Sequence, residues 1–219
     1  MSVAATESEA RDRAQFTLRM RQLGLSDVRV LRALERTPRS FFVPQRYADI
    51  AARDIALPIG GGQTAPPPST VAAMIEALRV DSSHRVLEIG AGSGYAAALL
   101  AQIAAEVVSL ERCQLLAVEA GARLAAFGLN VRVLYADGLA PSAKETGYDR
   151  VIVHALIEPP APRLTRWLAP GGALVAAIVD QDVQRVVRLT RLNDGGVRAE
   201  ALGPVRTLTP LVVGLMRAL

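Results

Sequence analysis

The chain has 219 residues, of which 51% are hydrophobic, 21% are charged and 4% are aromatic, and its formal net charge is +4. This length and apolar content can bury a sizeable core, so we expect one domain over residues 1–219 rather than an extensively disordered protein. No stretch approaches the roughly 18 consecutive apolar residues of a membrane span, no secretory signal is evident, and Cys113 is the only cysteine. We therefore expect a cytoplasmic protein without an internal disulfide or a membrane partner.

The first 60 residues predict an N-terminal helical cap on a core formed by residues 61–219. Amphipathic helices are predicted at residues 6–23 and 26–36, with Ser26 as the N-cap of the second. Arginines are dense here, but acidic residues are interleaved with them, which favours a solvated helical face over an RNA-binding surface. We therefore expect no nucleic-acid partner. The arginines are Arg11, Arg13, Arg19, Arg21, Arg29, Arg32, Arg36 and Arg39.

A junction rich in glycine and proline occupies residues 60–68. This composition cannot continue a helix or a central strand. Pro66, Pro67 and Pro68 form either a rigid connector or a reshaped substrate gate, and the sequence leaves both interpretations open. A helix is predicted directly behind them, at residues 69–78.

An apolar run at residues 86–89 ends in three glycines spaced two apart, and a helical pattern follows at residues 95–105. This arrangement predicts a buried parallel strand and a loop in which the missing Cβ atoms let a ligand approach the backbone closely. A tight turn without a ligand is the alternative. The dinucleotide fingerprint would have its third glycine where Tyr95 stands. With Glu88 before the loop, the spacing instead resembles motif I of class I S-adenosylmethionine-dependent methyltransferases. The glycines are Gly90, Gly92 and Gly94.

Acidic residues follow the next two predicted strands. Glu111 ends a strand at residues 106–111, about 20 residues beyond the first glycine, where a carboxylate can accept hydrogen bonds from both ribose hydroxyls. Asp137 and Gly138 follow a strand at residues 131–136 and reach the same sheet edge, where Asp137 can accept a hydrogen bond from an adenine amino group. Taken singly, either carboxylate could instead cap the next helix or meet water. Their matching positions favour a cofactor site.

The remaining pattern completes an α/β, Rossmann-like fold with a mostly parallel central sheet and helices on both faces. Strands are predicted at residues 148–154, 172–179, 184–192 and 205–213, one of them antiparallel, and a helix at residues 160–168. His154 ends the first of these strands, where it is either a base for a hydroxyl acceptor or a hydrogen-bonded histidine in a pocket wall. Trp167 is expected to pack in the core or cover the sheet. Cys113 is expected to be a small residue near a helix start rather than a reactive thiol.

Motifs spread over nearly the whole chain carry a resemblance to one family. They are Phe41-Phe42-Val43-Pro44, the segment from Asp54 to Thr64, the glycine motif, Glu111-Arg112, Asp137-Gly138 and Thr209-Pro210-Leu211. Together they resemble a protein-L-isoaspartate O-methyltransferase, and the Leu-Pro-Ile-Gly-x-Gly-Gln-Thr segment is quite specific to that family. The resemblance implies a class I methyltransferase fold, S-adenosylmethionine as cofactor, and methyl transfer to the free α-carboxylate beside an isoaspartyl linkage in damaged proteins.

The predicted site therefore has a cofactor side and an acceptor side, and no metal is expected. The resemblance implies the same ribose and adenine roles for Glu111 and Asp137 as the spacing does, and it makes Thr64 and Asp54 candidates for the acceptor region. The predicted cofactor residues are Glu88, Gly90, Gly92, Gly94, Glu111, Asp137 and Gly138, and the acceptor-side candidates are Thr64, Asp54 and His154.

The acceptor side departs from the family pattern at three positions, whereas the cofactor side does not. Pro66 stands where relatives usually have a serine, which removes a hydroxyl and an amide donor. Ala52 replaces an aromatic residue, and His154 replaces a small one. Besides isoaspartyl methylation, the sequence leaves open a different acceptor, a non-catalytic S-adenosylmethionine-binding module, and a nucleic-acid methyltransferase. Nucleic-acid methyltransferases carry an Asn/Asp-Pro-Pro-aromatic motif after the fourth strand. This chain lacks that motif, because Glu158 precedes the two prolines.

Overall fold

The computed structural model describes residues 3–140, 146–158, 161–204, 208 and 214–217. Its helices are α1 (Val3–Gln22), α2 (Val28–Arg36), α3 (Pro68–Leu78), α4 (Tyr95–Leu100), α5 (Gln114–Ala126) and α6 (Pro162–Thr165), and two 3-10 helices lie at Arg39–Phe41 and Gln45–Ile50. Its strands are β1 (Leu57–Pro58), β2 (Thr64–Ala65), β3 (Arg85–Ile89), β4 (Glu106–Glu111), β5 (Arg132–Tyr135), β6 (Tyr148–Leu156), β7 (Leu168–Asp180), β8 (Val183–Arg191) and β9 (Val197–Pro204).

Seven strands form one sheet in the order β5-β4-β3-β6-β7-β8-β9. The strands from β5 to β7 in this order pair in parallel, and β8 is antiparallel to both of its neighbours. The last residue of β3, Ile89, is opposite Leu110 on one side and Val153 on the other. The carboxyl ends of β3, β4 and β6 therefore lie side by side. The predicted Rossmann-like α/β fold, including an antiparallel strand, is confirmed.

Apolar side chains cover both faces of the sheet. Successive residues of a strand point to opposite faces, so Val86 joins a buried cluster that includes Phe16 of α1 and Leu34 of α2. Leu87 joins a second cluster with Leu164 of α6 and with Trp167. The N-terminal helices thus share one apolar core with the sheet. No helix in the described part of the chain combines the length and hydropathy that crossing a membrane requires.

Several predicted element ends were wrong. Asp27, not Ser26, caps α2: its Oδ1 accepts a hydrogen bond from Arg29 N at 2.8 Å. The Ser26 hydroxyl instead donates to Glu76 Oε1 on α3 at 2.6 Å, a partner 50 residues away. α4 ends at Leu100 rather than at residue 105, α6 is shorter than predicted, and β7 begins before residue 172. The last described strand is β9, and most of the predicted strand at residues 205–213 lies outside the described residues, as do Thr209, Pro210 and Leu211.

The predicted solvated arginine face is mostly present. The described arginine side chains of α1 and α2 are exposed: Arg11, Arg19, Arg21, Arg29, Arg32 and Arg36. The side chain of Arg13 lies outside the description. Arg39 was wrongly placed on this face, because only 4% of it is exposed and its guanidinium donates to backbone carbonyls.

Candidate functional site

A cavity of about 420 Å³ opens at the carboxyl ends of β3, β4 and β6. Its walls combine the glycine loop after β3, the ends of β4 and β6, the loop at Asp137, the β1–β2 hairpin and two residues near the C-terminus, Leu208 and Met216. This volume and position are typical of small-molecule sites in open α/β sheets.

The glycine loop requires glycine at each of its three positions. Gly90, Gly92 and Gly94 have φ angles of +95°, +53° and +87°, a region that favours glycine because it has no Cβ. Gly90 and Gly92 line the cavity. Gly94, a predicted cofactor residue, is not among the lining residues. It is the N-cap residue of α4 and packs on α5, where a Cβ would lie 3.4 Å from Ala120 Cβ. Gly94 therefore allows α4 to approach α5, and its predicted cofactor role stays a prediction.

Glu111 connects the glycine loop to the start of α5. Its Oε2 accepts a hydrogen bond from Gly92 N at 2.9 Å, and its Oε1 accepts one from Cys113 N at 2.8 Å. The residue is buried and lines the cavity. Each carboxylate oxygen can accept a second hydrogen bond, so the side chain can meet a ligand without releasing the backbone. The capping and ligand-binding interpretations of Glu111 are therefore compatible. Cys113 is a buried free thiol at the N-cap of α5, as expected of a small residue there.

The loop at Asp137 is held from three directions. Asp137 Oδ1 accepts a hydrogen bond from Leu139 N at 2.9 Å, and Oδ2 accepts one from Gly214 N at 2.8 Å. A Cβ on Gly138 would come within 2.5 Å of Ile89 Cγ2, so glycine allows this loop to lie against the end of β3. Trp167 Nε1 donates to Gly138 O at 2.9 Å. Trp167 is buried, as predicted, and its hydrogen bond to the Asp137 loop is an additional contact that the sequence did not indicate.

A C-terminal segment, residues 214–217, forms part of the cavity wall. Met216 N donates to Arg112 O at 2.7 Å, and Gln114 N donates to Met216 O at 2.9 Å. Met216 lines the cavity. This segment could not be predicted from the sequence, since its residues carry no motif of their own and Arg112 and Gln114 lie about 100 residues earlier in the chain.

Glu88 lies beneath the cavity rather than in its wall. It is fully buried, and the register of β3 against β4 places it opposite Ser109, whose hydroxyl donates to Glu88 Oε2. Its other oxygen lies 3.1 Å from His154 Nε2. His154 does line the cavity, with 7% of its side chain exposed. Glu88 is not among the residues that line the cavity, and its predicted role in cofactor binding stays a prediction.

The structure brings Thr64 to the cavity but not Asp54. Thr64 is an exposed residue of β2 at the cavity wall, next to Pro66. Asp54 instead accepts hydrogen bonds from Ser69 N at 2.9 Å and Ser69 Oγ at 2.7 Å. Ser69 lies in the first turn of α3, whose N-cap Pro67 provides no side-chain hydrogen bond. Asp54 thus holds the first turn of α3 and does not line the cavity, and its predicted catalytic role stays a prediction.

Tyr95, directly behind the glycine loop, also lines the cavity. Its ring packs 5.9 Å from that of Phe42, and burial raises the pKa of its phenol, which stays protonated at neutral pH. Among the described residues, no group of three or more histidine, cysteine, aspartate or glutamate side chains could hold a metal ion. The cavity therefore combines a glycine loop, two carboxylates and apolar walls, a lining suited to an adenosine-like ligand.

Comparison with known proteins identifies relatives over most of the chain. The family model for protein-L-isoaspartate(D-aspartate) O-methyltransferase matches residues 12–214. Protein-L-isoaspartate O-methyltransferase 1 of Rhodopseudomonas palustris strain HaA2 is 50% identical over 192 residues, which cover 86% of this chain and 78% of that protein. Protein-L-isoaspartate O-methyltransferase of Azorhizobium caulinodans is 42% identical over 213 residues, which cover 96% of this chain and 97% of that protein.

Solved structures share the fold. A Plasmodium falciparum structure assigned to the protein-L-isoaspartate O-methyltransferases, in complex with S-adenosyl-L-homocysteine, matches with a TM-score of 0.78 at 18% identity, over 90% of this chain and 97% of that one. A second structure named protein-L-isoaspartate O-methyltransferase matches with a TM-score of 0.76 at 24% identity, over 90% of this chain and 65% of that one.

Proposed function

The chain belongs to the protein-L-isoaspartate O-methyltransferase family, and from this premise we propose that it transfers a methyl group from S-adenosylmethionine to a carboxylate of isoaspartyl residues in damaged proteins. The observation that carries the proposal is the cavity at the sheet edge, in which Glu111 and Asp137 flank a glycine loop. The relatives over almost the full chain support the same activity.

The residues present fit S-adenosylmethionine. Glu111 would bind the ribose and Asp137 the adenine, because both carboxylates keep free acceptor capacity at the cavity after their backbone hydrogen bonds are counted. Gly90 and Gly92 leave room for the ligand beside the backbone, and Gly138 keeps the Asp137 loop close to β3. When bound, S-adenosylmethionine supplies an electrophilic methyl group on a positively charged sulfur.

The protein's task on the acceptor side is positioning. A carboxylate with an ordinary pKa near 4 is already ionised at neutral pH, so the chain need not supply a base to activate it. Thr64 and Pro66 would contact the acceptor from β2 and the loop behind it, and His154 would contact it from the end of β6. Walls that exclude water would strengthen the attraction between the acceptor carboxylate and a cationic donor.

A different acceptor is the second candidate function, and the make-up of the acceptor wall favours it. Pro66 has neither hydroxyl nor N–H to offer a carboxylate. Both ring nitrogens of His154 are buried and have no hydrogen-bond partner among the described residues, and Nε2 lies 3.1 Å from Glu88 Oε1. An imidazole in the cavity wall could accept a proton from a hydroxyl acceptor once one of its ring nitrogens reaches that hydroxyl.

We further propose that the protein is a single cytoplasmic domain. We take residues 1–219 as one methyltransferase unit, which the apolar cluster shared by α1, α2 and the sheet supports. A cytoplasmic location is consistent with a single, buried, free cysteine.

A radiolabelled methyl-transfer assay tests the proposal. We expect the protein to methylate a peptide containing isoaspartate and to leave the same peptide with ordinary aspartate unmodified. A Pro66→Ser variant restores the hydroxyl and N–H at the acceptor wall, and its activity shows whether that position limits the reaction. Binding of S-adenosylhomocysteine by both proteins is the control.

Three results would contradict isoaspartyl methylation by the natural chain. Activity only in Pro66→Ser would show that the acceptor wall has changed. No reaction in either protein, with S-adenosylhomocysteine bound by both, would reject the isoaspartyl acceptor and leave a different acceptor or a non-catalytic module. Strong salt-dependent binding of RNA or DNA would favour a nucleic-acid substrate.

A further inference from the structure

The backbone of residues 51–66, which we call the acceptor loop, converges on one buried side chain. The loop includes β1, β2, Thr64 and Pro66 and lies between the 3-10 helix Gln45–Ile50 and α3. Five of its carbonyl oxygens accept hydrogen bonds from the Arg39 guanidinium. Nη1 donates to Ala51 O at 3.2 Å and Arg53 O at 3.5 Å, and Nη2 donates to Ile55 O at 3.1 Å, Ala65 O at 3.3 Å and Pro66 O at 2.8 Å.

Arg39 is a buried cation compensated mainly by these dipoles. Only 4% of the residue is exposed, and among the described residues the hydrogen bonds of its guanidinium go to backbone carbonyls alone. Desolvation lowers the pKa of Arg39, and the charge of nearby Asp54 raises it, but a guanidinium stays protonated in proteins. A buried charge requires such compensation, so the carbonyls must remain around it.

The five carbonyls belong to the two ends of the acceptor loop. Three lie at residues 51–55, before β1, and two at residues 65 and 66, after β2 begins. By holding both ends, Arg39 fixes the base of the β1–β2 hairpin. The hairpin then reaches the cavity, where Ile59 packs with Cys113 and Leu116. Thr64, Ala65 and Pro66 line the cavity, whereas Arg39 is not among the lining residues.

We propose that Arg39 is a positioning residue that sets the acceptor wall of the cavity through the carbonyls of the acceptor loop. The inference rests on the proposed function, since it assigns the wall to the methyl acceptor. Arg39 contacts neither substrate in this role. It determines where Thr64 and Pro66 stand relative to the donor side, which is built by Glu111, Asp137 and the glycine loop.

Two variants test the role of Arg39. Arg39→Lys keeps the charge, but an ammonium with three donors on a flexible stem cannot reproduce the planar guanidinium contacts. Arg39→Ala removes both charge and donors and leaves a space that added methylguanidinium can enter. The matched control is Arg36→Lys, an exposed arginine in the last turn of α2. Hydrogen exchange, the KM for an isoaspartyl peptide and the Kd for S-adenosylhomocysteine are measured for each.

We expect faster exchange confined to residues 51–66 in both Arg39 variants. The peptide KM should rise about tenfold or more, the equivalent of one or two hydrogen bonds, while the S-adenosylhomocysteine Kd changes less than about threefold. Methylguanidinium should lower the KM of Arg39→Ala without affecting the wild type. Arg36→Lys should match the wild type in every measurement.

The outcomes separate this inference from the proposed function. If the wild type does not methylate the isoaspartyl peptide, the proposed function fails, and hydrogen exchange still decides the role of Arg39. Unchanged exchange at residues 51–66 in a folded variant overturns the inference. So does a lower melting temperature with an unchanged peptide KM and no response to methylguanidinium, because Arg39 would then contribute only to global stability. If Arg39→Lys does not fold, hydrogen exchange and the peptide KM of Arg39→Ala, measured with and without methylguanidinium, decide the role of Arg39.

Discussion

At the residue scale, Glu111 connects two parts of the cavity wall. One of its oxygens holds the glycine loop through Gly92 N and the other holds the start of α5 through Cys113 N. A glutamine here would turn an amide NH₂ toward one of these backbone N–H groups and would remove the charge. We expect Glu111→Gln to lower the affinity for S-adenosylhomocysteine about tenfold or more, since a hydrogen bond to a charged group contributes about 1.5–3 kcal/mol. Titration calorimetry measures the change.

The control for this variant is Glu106→Gln. Glu106 begins the strand that Glu111 ends, so it lies away from the cavity, and it is 44% exposed in an ion pair with Arg85. We expect its affinity for S-adenosylhomocysteine to equal that of the wild type. An unchanged affinity in Glu111→Gln would remove the ribose contact from the proposed site.

Residues whose position follows from topology were predictable from the sequence. Glu111 and Asp137 end or follow parallel strands, and such strands bring their carboxyl ends to one edge. The contacts of Gly94, Glu88 and Asp54 were harder to predict, because they are made with Ala120, Ser109 and Ser69, which lie 15 or more residues away along the chain. A motif identifies such a residue but does not show which neighbour it contacts.

At the scale of elements, the C-terminal segment at residues 214–217 acts as an added edge beside the start of α5. It contributes the bond from Gly214 N to Asp137 Oδ2 and the two backbone bonds of Met216 to Arg112 and Gln114. We expect a chain that stops after residue 213 to bind S-adenosylhomocysteine at least about tenfold more weakly, because Asp137 loses a fixed donor and the cavity loses a wall. Calorimetry measures binding, and circular dichroism measures whether the sheet is retained.

A chain that stops after Arg217 is the matched control, since it keeps every described contact of the segment. It should bind S-adenosylhomocysteine like the full chain. Equal binding by the shorter truncation would show that the segment does not shape the cavity.

Helices and strands were predictable as elements, but their ends were not. Hydrophobic periodicity identifies most elements, and a proline marks the start of α3. Both signals depend only on residues that are neighbours in the chain. The start of α2 depends on which of two adjacent polar residues is free to cap it. Ser26 is engaged by Glu76 of α3, so Asp27 takes that position. This choice is made by tertiary contact, which the sequence does not display.

At the scale of the whole molecule, the burial of Arg39 was also not predictable, because it depends on tertiary contacts rather than on neighbours in the chain. Its place among interleaved charges indicated a solvated face, as for the exposed arginines of α1 and α2. Its burial depends on carbonyls 12 to 27 residues further along the chain, which surround it only when the acceptor loop is folded. Sheet order follows from general rules of parallel connection, whereas a long-range contact between a side chain and a loop does not.

The cavity walls come from distant parts of the chain, so binding there should stabilise the entire fold. The β1–β2 hairpin, the glycine loop, the end of β4, the Asp137 loop and Met216 all line the cavity. A ligand that binds only the folded state at 100 times its Kd stabilises it by about 2.7 kcal/mol. For a chain of this size we expect S-adenosylhomocysteine at that concentration to raise the melting temperature by about 5–10 °C, measured by scanning calorimetry. Glu111→Gln at the same ligand concentration should show a smaller rise, because less of the variant is bound. A wild-type melting temperature that does not respond to the ligand would mean that these walls do not form its binding site.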